Sequence, residues 1–232
     1  MMFFPFDTSE YRAMVFLDVE TTGLDYQQDQ ITQFAARRVH MDSTCASLNI
    51  YIKIKDNVNY SQDVQQITLL SEEFLHENGI REGVAANKIF DFLFFAEPVV
   101  LIAHNAQFDM MFVLELFKRY GYTMPVQYSV LDTITVARDR KPFPHKLSDL
   151  MQHYNHKTEE ELHRADTDVG VLINVFYSML HEKNDINCYL DVIGIPPKKH
   201  LMGYCLPTIK YHVQEWFHYG RPHYPLYERG SI

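Results

Sequence analysis

Blocks of apolar residues separated by polar segments predict an α/β protein. Apolar, β-branched and aromatic runs predict a buried strand at about 14–20 and further strands at about 31–40 and 46–54. Residues 107–120 are apolar on almost every side and predict a buried helix, and 169–180 predict another. Shorter strands and helices alternate with these elements. The pattern therefore predicts an α/β fold in which helices flank a mixed central β-sheet.

Two carboxylates lie at the end of the first predicted strand, in the segment FLDVETTGL. Asp18 and Glu20 are two positions apart, so their side chains project from the same face of the strand. Two adjacent anions in an apolar setting need a compensating charge, and a hard divalent cation with oxygen ligands is suited to that role. The simpler alternative is a pair of acids that spread into solvent at the strand end.

A third carboxylate, Asp109, follows the apolar run 99–103 in the segment LIAHNAQFD. It falls in the first turn of the predicted helix, where the helix dipole favours a negative charge. Asp109 could also act there only as a dipole partner. His104 and Asn105, just before this helix, offer donors and acceptors either to a substrate or to a neighbouring loop.

The segment HRADTDVGVL contains a histidine and another carboxylate near a helix start. Asp168 enters the apolar segment that predicts the later helix, and Asp166 or Thr167 is available as its N-cap. His163 lies five positions before Asp168, which on one helix would place the two on different faces. We therefore expect His163 on a loop folded back over Asp168. A histidine can remove a proton from water near neutral pH, although a lone histidine is more often a packing or surface residue.

The three segments, in this order, resemble the exonuclease motifs of the DEDDh branch of the DnaQ-like 3′→5′ exonuclease family. The resemblance extends over about residues 13–181 and includes the segments VLDTITVAR and HKLSDLMQHY. It implies a ribonuclease-H-like fold and a two-metal phosphodiesterase. The residues that match the family's metal ligands, which would hold two divalent ions (Mg²⁺ or Mn²⁺), are Asp18, Glu20, Asp109 and Asp168. The same resemblance implies that His163 is the general base.

The family resemblance also implies a set of substrate contacts around these acids. Thr21, Thr22 and Gly23 would offer backbone groups to the terminal nucleotide, with His104 and Asn105 nearby. Leu24 and Phe108 would be the apolar surfaces against which the last bases pack. Such contacts tolerate any sequence because every base has an apolar face. The spacing of Asp166 from His163 does not match the family, so Asp166 is interpreted as a helix cap.

The implied activity is a 3′→5′ exonuclease that releases nucleoside 5′-monophosphates from single-stranded DNA or frayed 3′ ends, as in proofreading. An exoribonuclease of the same family is the first alternative, because contacts around the 2′-hydroxyl cannot be located from the sequence. The second is a non-catalytic module that binds 3′ ends or a DNA polymerase. A DNA polymerase is thus a possible partner, and no sequence feature indicates an oligomeric state.

Composition and charge are compatible with one domain and limit how the protein grips nucleic acid. The chain has 232 residues, is 47% hydrophobic and carries a formal net charge of −9. Generic nucleic-acid binders instead have a basic face. An enzyme that holds only a few nucleotides at a 3′ end needs few phosphate contacts. We therefore expect weak, salt-sensitive binding to long duplexes.

Cysteine usage and hydropathy favour an intracellular protein. Three cysteines lie far apart, without a C-x-x-C pair, which is typical of reduced thiols. No apolar run approaches the length of a membrane span, and the first residues lack a basic segment followed by a long apolar one. We therefore expect a cytoplasmic protein without membrane partners.

The family resemblance divides the chain into an exonuclease domain, 1–184, and a C-terminal extension, 185–232. The extension is rich in aromatic residues and contains the segment GIPPKKH. It could be an irregular strap that packs on or beside the domain. It could also add a surface for nucleic acid or a polymerase, where lysines contact phosphates and aromatic rings stack on bases.

Overall fold

The computed structural model describes residues 4–7, 9–94, 98–123, 128–157, 164–217 and 225–226. The strands are β1 (Ala13–Thr21), β2 (Ile31–His40), β3 (Cys45–Tyr51), β4 (Val99–Ala103), β5 (Tyr128–Asp132), β6 (Val192–Ile195) and β7 (Lys210–Val213). The helices are α1 (Gln62–Thr68), α2 (Glu72–Asn78), α3 (Glu82–Phe94), α4 (Ala106–Arg119), α5 (Thr133–Arg140), α6 (Leu147–His153) and α7 (Ala165–Glu182). Among the residues described, no helix has the length and apolar character needed to cross a membrane.

The described strands form one sheet in the order β3-β2-β1-β4-β5-β6-β7. Strand β2 runs antiparallel to β1 and β3, and β4 to β7 pair in parallel, so the sheet is mixed as the sequence predicts. The strand expected at about 46–54 ends earlier, at Tyr51. Its extension is replaced by an isolated parallel bridge between Ile52 and Ile80, which joins the chain to the segment before α3.

Residue parity along β1 divides the core into two layers. Val15 and Leu17 belong to a buried cluster with α3 and α4, on one face of the sheet. Met14 and Phe16 belong to a second cluster with α5, α6 and α7, on the other face. Because side chains alternate along a strand, Asp18 shares the parity of Phe16 and projects on the α7 face. The strand thus directs its first carboxylate toward the helix that carries Asp168.

The segment after residue 184 is built into the same sheet. Strands β6 and β7 extend its edge beyond β5. Gln214, which is fully buried, donates to the carbonyl oxygen of Thr135 at 2.7 Å and to the Asp139 carboxylate at 2.9 Å, both on α5. The two hydrogen bonds donated by this buried amide nitrogen hold the segment against α5. The described part of the extension is therefore not an irregular strap, since it contributes two strands and packs on α5.

Candidate active site

Three carboxylates converge where β1 ends and α7 begins. One oxygen each of Asp18, Glu20 and Asp168 lies within 4.8 Å of the others. Asp18 and Glu20 project together from β1, as their spacing predicts, and Asp168 comes from the first turn of α7. All three side chains are partly exposed, so solvent and ligands reach the cluster. Such a group of oxygen donors has the composition of a divalent-cation site.

Asp109 adjoins the cluster from the other face of the sheet. It lies in the first turn of α4, as predicted, and only 2% of its surface is exposed. Its Oδ1 accepts a hydrogen bond from the backbone N–H of Val19 at 3.2 Å. This bond ties the carboxylate to the end of β1, between the two strand acids. Its negative charge acts on Asp18 and helps to raise the pKa of that residue.

The electrostatics of the cluster disfavour ionised carboxyl groups. Burial, then the charges of Asp109 and Asp168, hold the pKa of Asp18 well above its usual range. Burial, then Asp18 and Asp168, raise the pKa of Glu20 to about 9. Burial is also the main reason that the pKa of Asp109 is raised. The charges that shift the pKa values of Asp18 and Glu20 are all negative, so a bound cation would reverse the local balance. The donor set and its charge therefore fit a divalent ion.

The start of α7 differs from the sequence prediction. The helix begins at Ala165 with Arg164 as its N-cap residue, so the assignment of Asp166 or Thr167 as N-cap was wrong. The Arg164 side chain makes no capping hydrogen bond. Instead, Gln33 on β2 accepts a hydrogen bond from the Ala165 N–H at 3.3 Å through its side-chain oxygen. A cap supplied from another strand leaves no signal in the local sequence.

Gln33 positions the turn that carries Asp168. Its Nε2 donates to Asp166 at 3.2 Å, in addition to the bond between its oxygen and Ala165. Gln33 is fully buried and pairs with Glu20 in the β1–β2 register. One amide therefore joins the end of β1 to the first turn of α7. The sequence analysis missed this residue, because only the strand register brings it to the site.

Asp132 fixes the start of α4 in a comparable way. It is the last residue of β5, is 2% exposed, and accepts the backbone N–H of Asn105 at 2.9 Å and that of Ala106 at 3.2 Å. The same carboxylate caps α5, where it accepts the N–H of Ile134 and the hydroxyl of Thr135. Asn105 itself has a left-handed backbone, with φ of 73°. The role of Asp132 as N-cap of α5 is recognisable from the sequence, because Asp is a preferred N-cap residue. Its hydrogen bonds to the start of α4 are tertiary contacts and leave no such signal.

His104 bonds to its neighbours through both ring nitrogens. Nδ1 lies 3.0 Å from the Thr133 hydroxyl, and Nε2 lies 2.8 Å from the carbonyl oxygen of His145. Burial lowers the pKa of His104, which favours the neutral ring. The sequence left open whether His104 contacts a substrate or a neighbouring loop, and the structure shows a contact with the loop that contains His145. Asn105 is exposed, and contact of either residue with a substrate stays a prediction.

The turn after β1 is held by its own hydrogen bonds. The Thr21 hydroxyl donates to the Gly23 carbonyl at 2.6 Å, and the Thr22 N–H donates to the Gln30 carbonyl at 2.9 Å. The Thr22 hydroxyl donates to Asp29, and a Cβ at position 23 would collide with that carboxylate. The turn therefore requires glycine for space. It also commits the Thr22 N–H to the protein, so any backbone group offered to a nucleotide there must be another one.

The two apolar residues expected to pack against bases are both at least partly accessible. Leu24 is 79% exposed directly after the turn, and Phe108 is partly buried on α4, with its ring centroid 5.0 Å from that of Phe112. An exposed leucine beside a polar cleft is available to a ligand. His163, the expected general base, lies outside the described residues.

Solved structures with the same fold are exonucleases. The zinc-bound form of an E. coli ExoI–ssDNA complex matches with a TM-score of 0.69 and 20% identity, over 77% of this chain and 42% of that chain. An exonuclease I from Methylocaldum szegediense matches with a TM-score of 0.65 and 17% identity, over 75% of this chain and 42% of that one. These likenesses show the fold, which is the ribonuclease-H-like fold that the resemblance implied.

Curated relatives are bacterial replication proteins. A DNA polymerase III of PolC type from Ureaplasma parvum is 31% identical over 71% of this chain, and one from Mycoplasma genitalium is 29% identical over 71%. The DNA polymerase III subunit epsilon of Treponema pallidum is 28% identical over 79% of this chain and 84% of its own length. The chain spans only 11% of either PolC-type relative.

The family model described as Exonuclease matches residues 15–176, which include β1, α4 and the start of α7. All four carboxylates of the site fall within that match. The resemblance to DnaQ-like enzymes inferred from the motifs is therefore confirmed, and the chain belongs to the exonuclease family.

Proposed function

We propose that this protein is a metal-dependent 3′→5′ exonuclease that removes nucleotides one at a time from the 3′ end of single-stranded or frayed DNA. The observation that carries the proposal is the convergence of Asp18, Glu20 and Asp168 within 4.8 Å at the accessible end of β1. A binding module has no physical need for three clustered acids whose charges raise the pKa values of Asp18 and Glu20. An enzyme that gathers cations at a phosphodiester does.

The site residues divide into cation ligands and groups that act on the substrate. Asp18, Glu20 and Asp168 would hold two divalent ions, Mg²⁺ or Mn²⁺, to which oxygen donors are suited, and Asp109 would contribute from α4. Bound ions would supply electrostatic stabilisation to the phosphodiester as it is displaced. His163 would accept the proton of the attacking water. The bond from phosphorus to the 3′ oxygen breaks, which yields a nucleoside 5′-monophosphate and a shortened strand with a new 3′-hydroxyl.

The terminal nucleotide would lie on the α4 face of the cluster. Leu24 and Phe108 offer apolar contacts for the last bases, and the exposed Asn105 offers hydrogen bonds. The turn Thr21–Gly23 would approach the sugar through the backbone groups that its internal bonds leave open. Apolar packing of this kind accepts any base, as trimming of arbitrary ends requires.

The relatives favour DNA over RNA and a role beside a polymerase. The curated relatives cited above are DNA polymerase III proteins, and the E. coli ExoI match is a complex with single-stranded DNA. We therefore include two further points in the proposal: the substrate is DNA, and a DNA polymerase is a partner. The net charge of −9 agrees with an enzyme that grips only a short end or relies on a partner for affinity.

A degradation time course tests the proposal. Matched 3′-labelled and 5′-labelled single-stranded DNA and RNA oligonucleotides are incubated with Mg²⁺, Mn²⁺ or EDTA. The proposal expects metal-dependent shortening from the 3′ end, faster on DNA. Faster loss of RNA would identify an exoribonuclease. Absence of cleavage with every metal, together with tight binding of 3′ ends, would replace the enzyme by a binding module.

Replacement of the proposed base separates chemistry from metal binding. His163→Ala should lower kcat by about a hundredfold, within the range for loss of a general base, and leave the Mn²⁺ dissociation constant almost unchanged. The exposed His76 on α2 provides the control, since His76→Ala should change neither quantity. Equal losses of kcat and metal affinity in His163→Ala would contradict the assigned role.

A further inference from the structure

A cavity of 460 Å³ opens beside the acid cluster and has no role in the site described so far. Asp168 and His104 are among its lining residues, so it adjoins the acid cluster. Its other walls come from α5, the connection between α5 and α6, and the extension that follows β6. The volume lies within the range of small-ligand pockets, about 300–1,000 Å³.

An aromatic pair forms one wall of this cavity. Phe143 lies flat against Trp216, with ring centroids 4.8 Å apart and an interplanar angle of 13°. Phe143 is nevertheless 63% exposed. Trp216 therefore covers one face of this ring, and the remaining surface is open to a ligand. An exposed aromatic face at the edge of a cleft is suited to stacking on a nucleobase.

Cations surround the same cavity although the whole protein is acidic. Arg138, Lys146 and Lys199 line it, and among the described residues that line it Asp168 alone is acidic. The Arg138 guanidinium is anchored by a 2.8 Å hydrogen bond to the Gly194 carbonyl. Both lysines are exposed, and within the described residues neither forms a salt bridge. Proteins that bind single-stranded nucleic acid combine two elements, cationic side chains for the phosphates and aromatic faces for the bases. Both are present at this cavity.

We propose that this cavity binds the nucleotide on the 5′ side of the scissile phosphodiester, with its base on Phe143 and its phosphate near Lys199 and Arg138. The inference rests on the proposed function. Phe108, proposed for the terminal nucleotide, packs against the buried cluster on the α4 face, whereas the cavity is lined by Asp168 and residues of α5 and α6 on the α7 face. The acids at the end of β1 are between them. A strand that crosses this edge of the sheet thus places its last phosphodiester at the acids and its preceding nucleotide in the cavity.

This arrangement assigns a function to the C-terminal extension. Trp216 and Lys199 both belong to it, and the hydrogen bonds of Gln214 fix the segment before Trp216 on α5. The extension thereby completes a substrate pocket that the first 184 residues would leave open on one side. The extension would then favour oligonucleotides over shorter substrates, because only a substrate with a nucleotide upstream of the scissile bond reaches this pocket.

Two substrates of different length separate the cavity from the catalytic centre. The methyl ester of thymidine 5′-monophosphate has an alkoxide leaving group but no upstream base, whereas a single-stranded oligodeoxynucleotide has many upstream nucleotides. Phe143→Ala should lower kcat/KM for the oligonucleotide about tenfold, the loss of one stacked base, and leave the ester unaffected. Lys199→Glu should raise KM for the oligonucleotide and reduce the slope of log KM against log salt by about one, with kcat unchanged.

The adjacent lysine is the matched control. Lys198 is exposed and follows the same proline pair but does not line the cavity, so Lys198→Glu should leave KM near the wild-type value. Equal effects of Lys198→Glu and Lys199→Glu would overturn the proposal, as would equal losses on both substrates in Phe143→Ala. Absence of cleavage of either substrate by the wild type would count against the proposed function and leave the binding assay below to decide about the cavity.

A binding assay without catalysis is available because Trp216 is the single tryptophan of the chain. In EDTA, addition of a single-stranded oligodeoxynucleotide should quench or shift its emission in a saturable way. Lys199→Glu should weaken this binding several-fold and Lys198→Glu should not. Thymidine 5′-monophosphate alone should have little effect at the same nucleotide concentration. No change in emission with any oligonucleotide, or an equal change in both lysine variants, would show that the cavity does not hold the strand.

Discussion

Glu82 and the acids of the β1 cluster are carboxylates with contrasting surroundings. Glu82, at the start of α3, is 5% exposed and accepts Lys55 at 2.8 Å and Arg119 at 2.9 Å. The hydroxyl of Tyr120 donates to it at 3.0 Å. Asp18 and Glu20, by contrast, experience mainly other negative charges. The protein thus neutralises Glu82 with its own cations, whereas the charges that shift the pKa values of Asp18 and Glu20 are negative.

This contrast distinguishes a structural acid from a functional one. A buried charge that is paired and hydrogen-bonded within the fold stabilises one arrangement of its elements, here α3 with α4. A group of acids that raise one another's pKa values is costly unless a cation binds, and such groups concentrate at functional sites. Substitutions at the two sites should therefore have different consequences. Loss of Glu82 should lower the stability of the fold, and loss of Asp18 should lower activity.

The largest effect is expected at Asp18. Asp18→Asn should lower metal-dependent cleavage about a thousandfold, because stabilisation by bound metal is worth several kcal/mol. The fold should be kept, since the substitution removes a charge that burial disfavours. Circular dichroism and a cleavage assay on the same sample measure both. Activity within tenfold of the wild type would refute the site.

Glu82 should show the converse behaviour. Glu82→Gln leaves Lys55 and Arg119 without their counter-charge and should lower the free energy of unfolding by about 2 kcal/mol, less than for a fully buried pair because both cations reach solvent. Activity per folded molecule should stay unchanged. Urea denaturation provides the measurement, with the exposed Glu77→Gln as the control. A large loss of activity in folded Glu82→Gln would erase the distinction between the two sites.

Gln33 should have a smaller effect on activity than the acids that it positions. Gln33→Leu removes the hydrogen bonds to Ala165 and Asp166 at the start of α7 and should lower kcat/KM about tenfold through weaker metal binding, as for residues that orient metal ligands. The exposed Asn49 on β3 also accepts a hydrogen bond from Gln33 Nε2, at 2.9 Å, and this bond joins Gln33 to β3 rather than to α7. Asn49→Ala should therefore have almost no effect, and an equal loss in both variants would contradict this role.

The smallest effect concerns pH and metal removal. The pKa of Glu20 is raised to about 9 in the folded protein from 4.5, so the folded state keeps a proton that the unfolded state releases. Without metal, stability should therefore fall as pH rises between these values. In EDTA at pH 8, Glu20→Gln should raise Tm by about 3 °C, which corresponds to ~1 kcal/mol. This rise in Tm should vanish near pH 4, and saturating Mn²⁺ should turn it into a loss. A rise in Tm that does not depend on pH would contradict its assignment to the raised pKa of Glu20.

Local patterns were sufficient to predict the strand acids and the main helices. The alternation along β1 predicted that Asp18 and Glu20 share a face, and the apolar run after Asn105 predicted α4 to within a residue at each end. These features depend on neighbours in sequence, namely side-chain parity and helical periodicity. The meeting of Asp168 with the strand acids was accessible only through the family resemblance.

Tertiary contacts explain what the sequence analysis missed. The cap of α7 comes from Gln33, 132 residues before Ala165, so the preference of Asp166 or Thr167 for N-caps had no influence. In the cavity wall, Phe143, which lies between α5 and α6, stacks on Trp216, which follows β7. Neither pairing follows from spacing: the first depends on the position of β2 beside the start of α7, and the second on the position of the segment after β7.

Mn²⁺ binding measured by isothermal titration calorimetry tests the central claim most directly, because it requires neither a substrate nor a partner. The wild type and Glu82→Gln should bind Mn²⁺ with similar affinity, and Asp18→Asn should lose most of the binding heat. Undiminished binding to Asp18→Asn, or its loss in folded Glu82→Gln, would contradict the claim that the carboxylates at the end of β1 are the cation site.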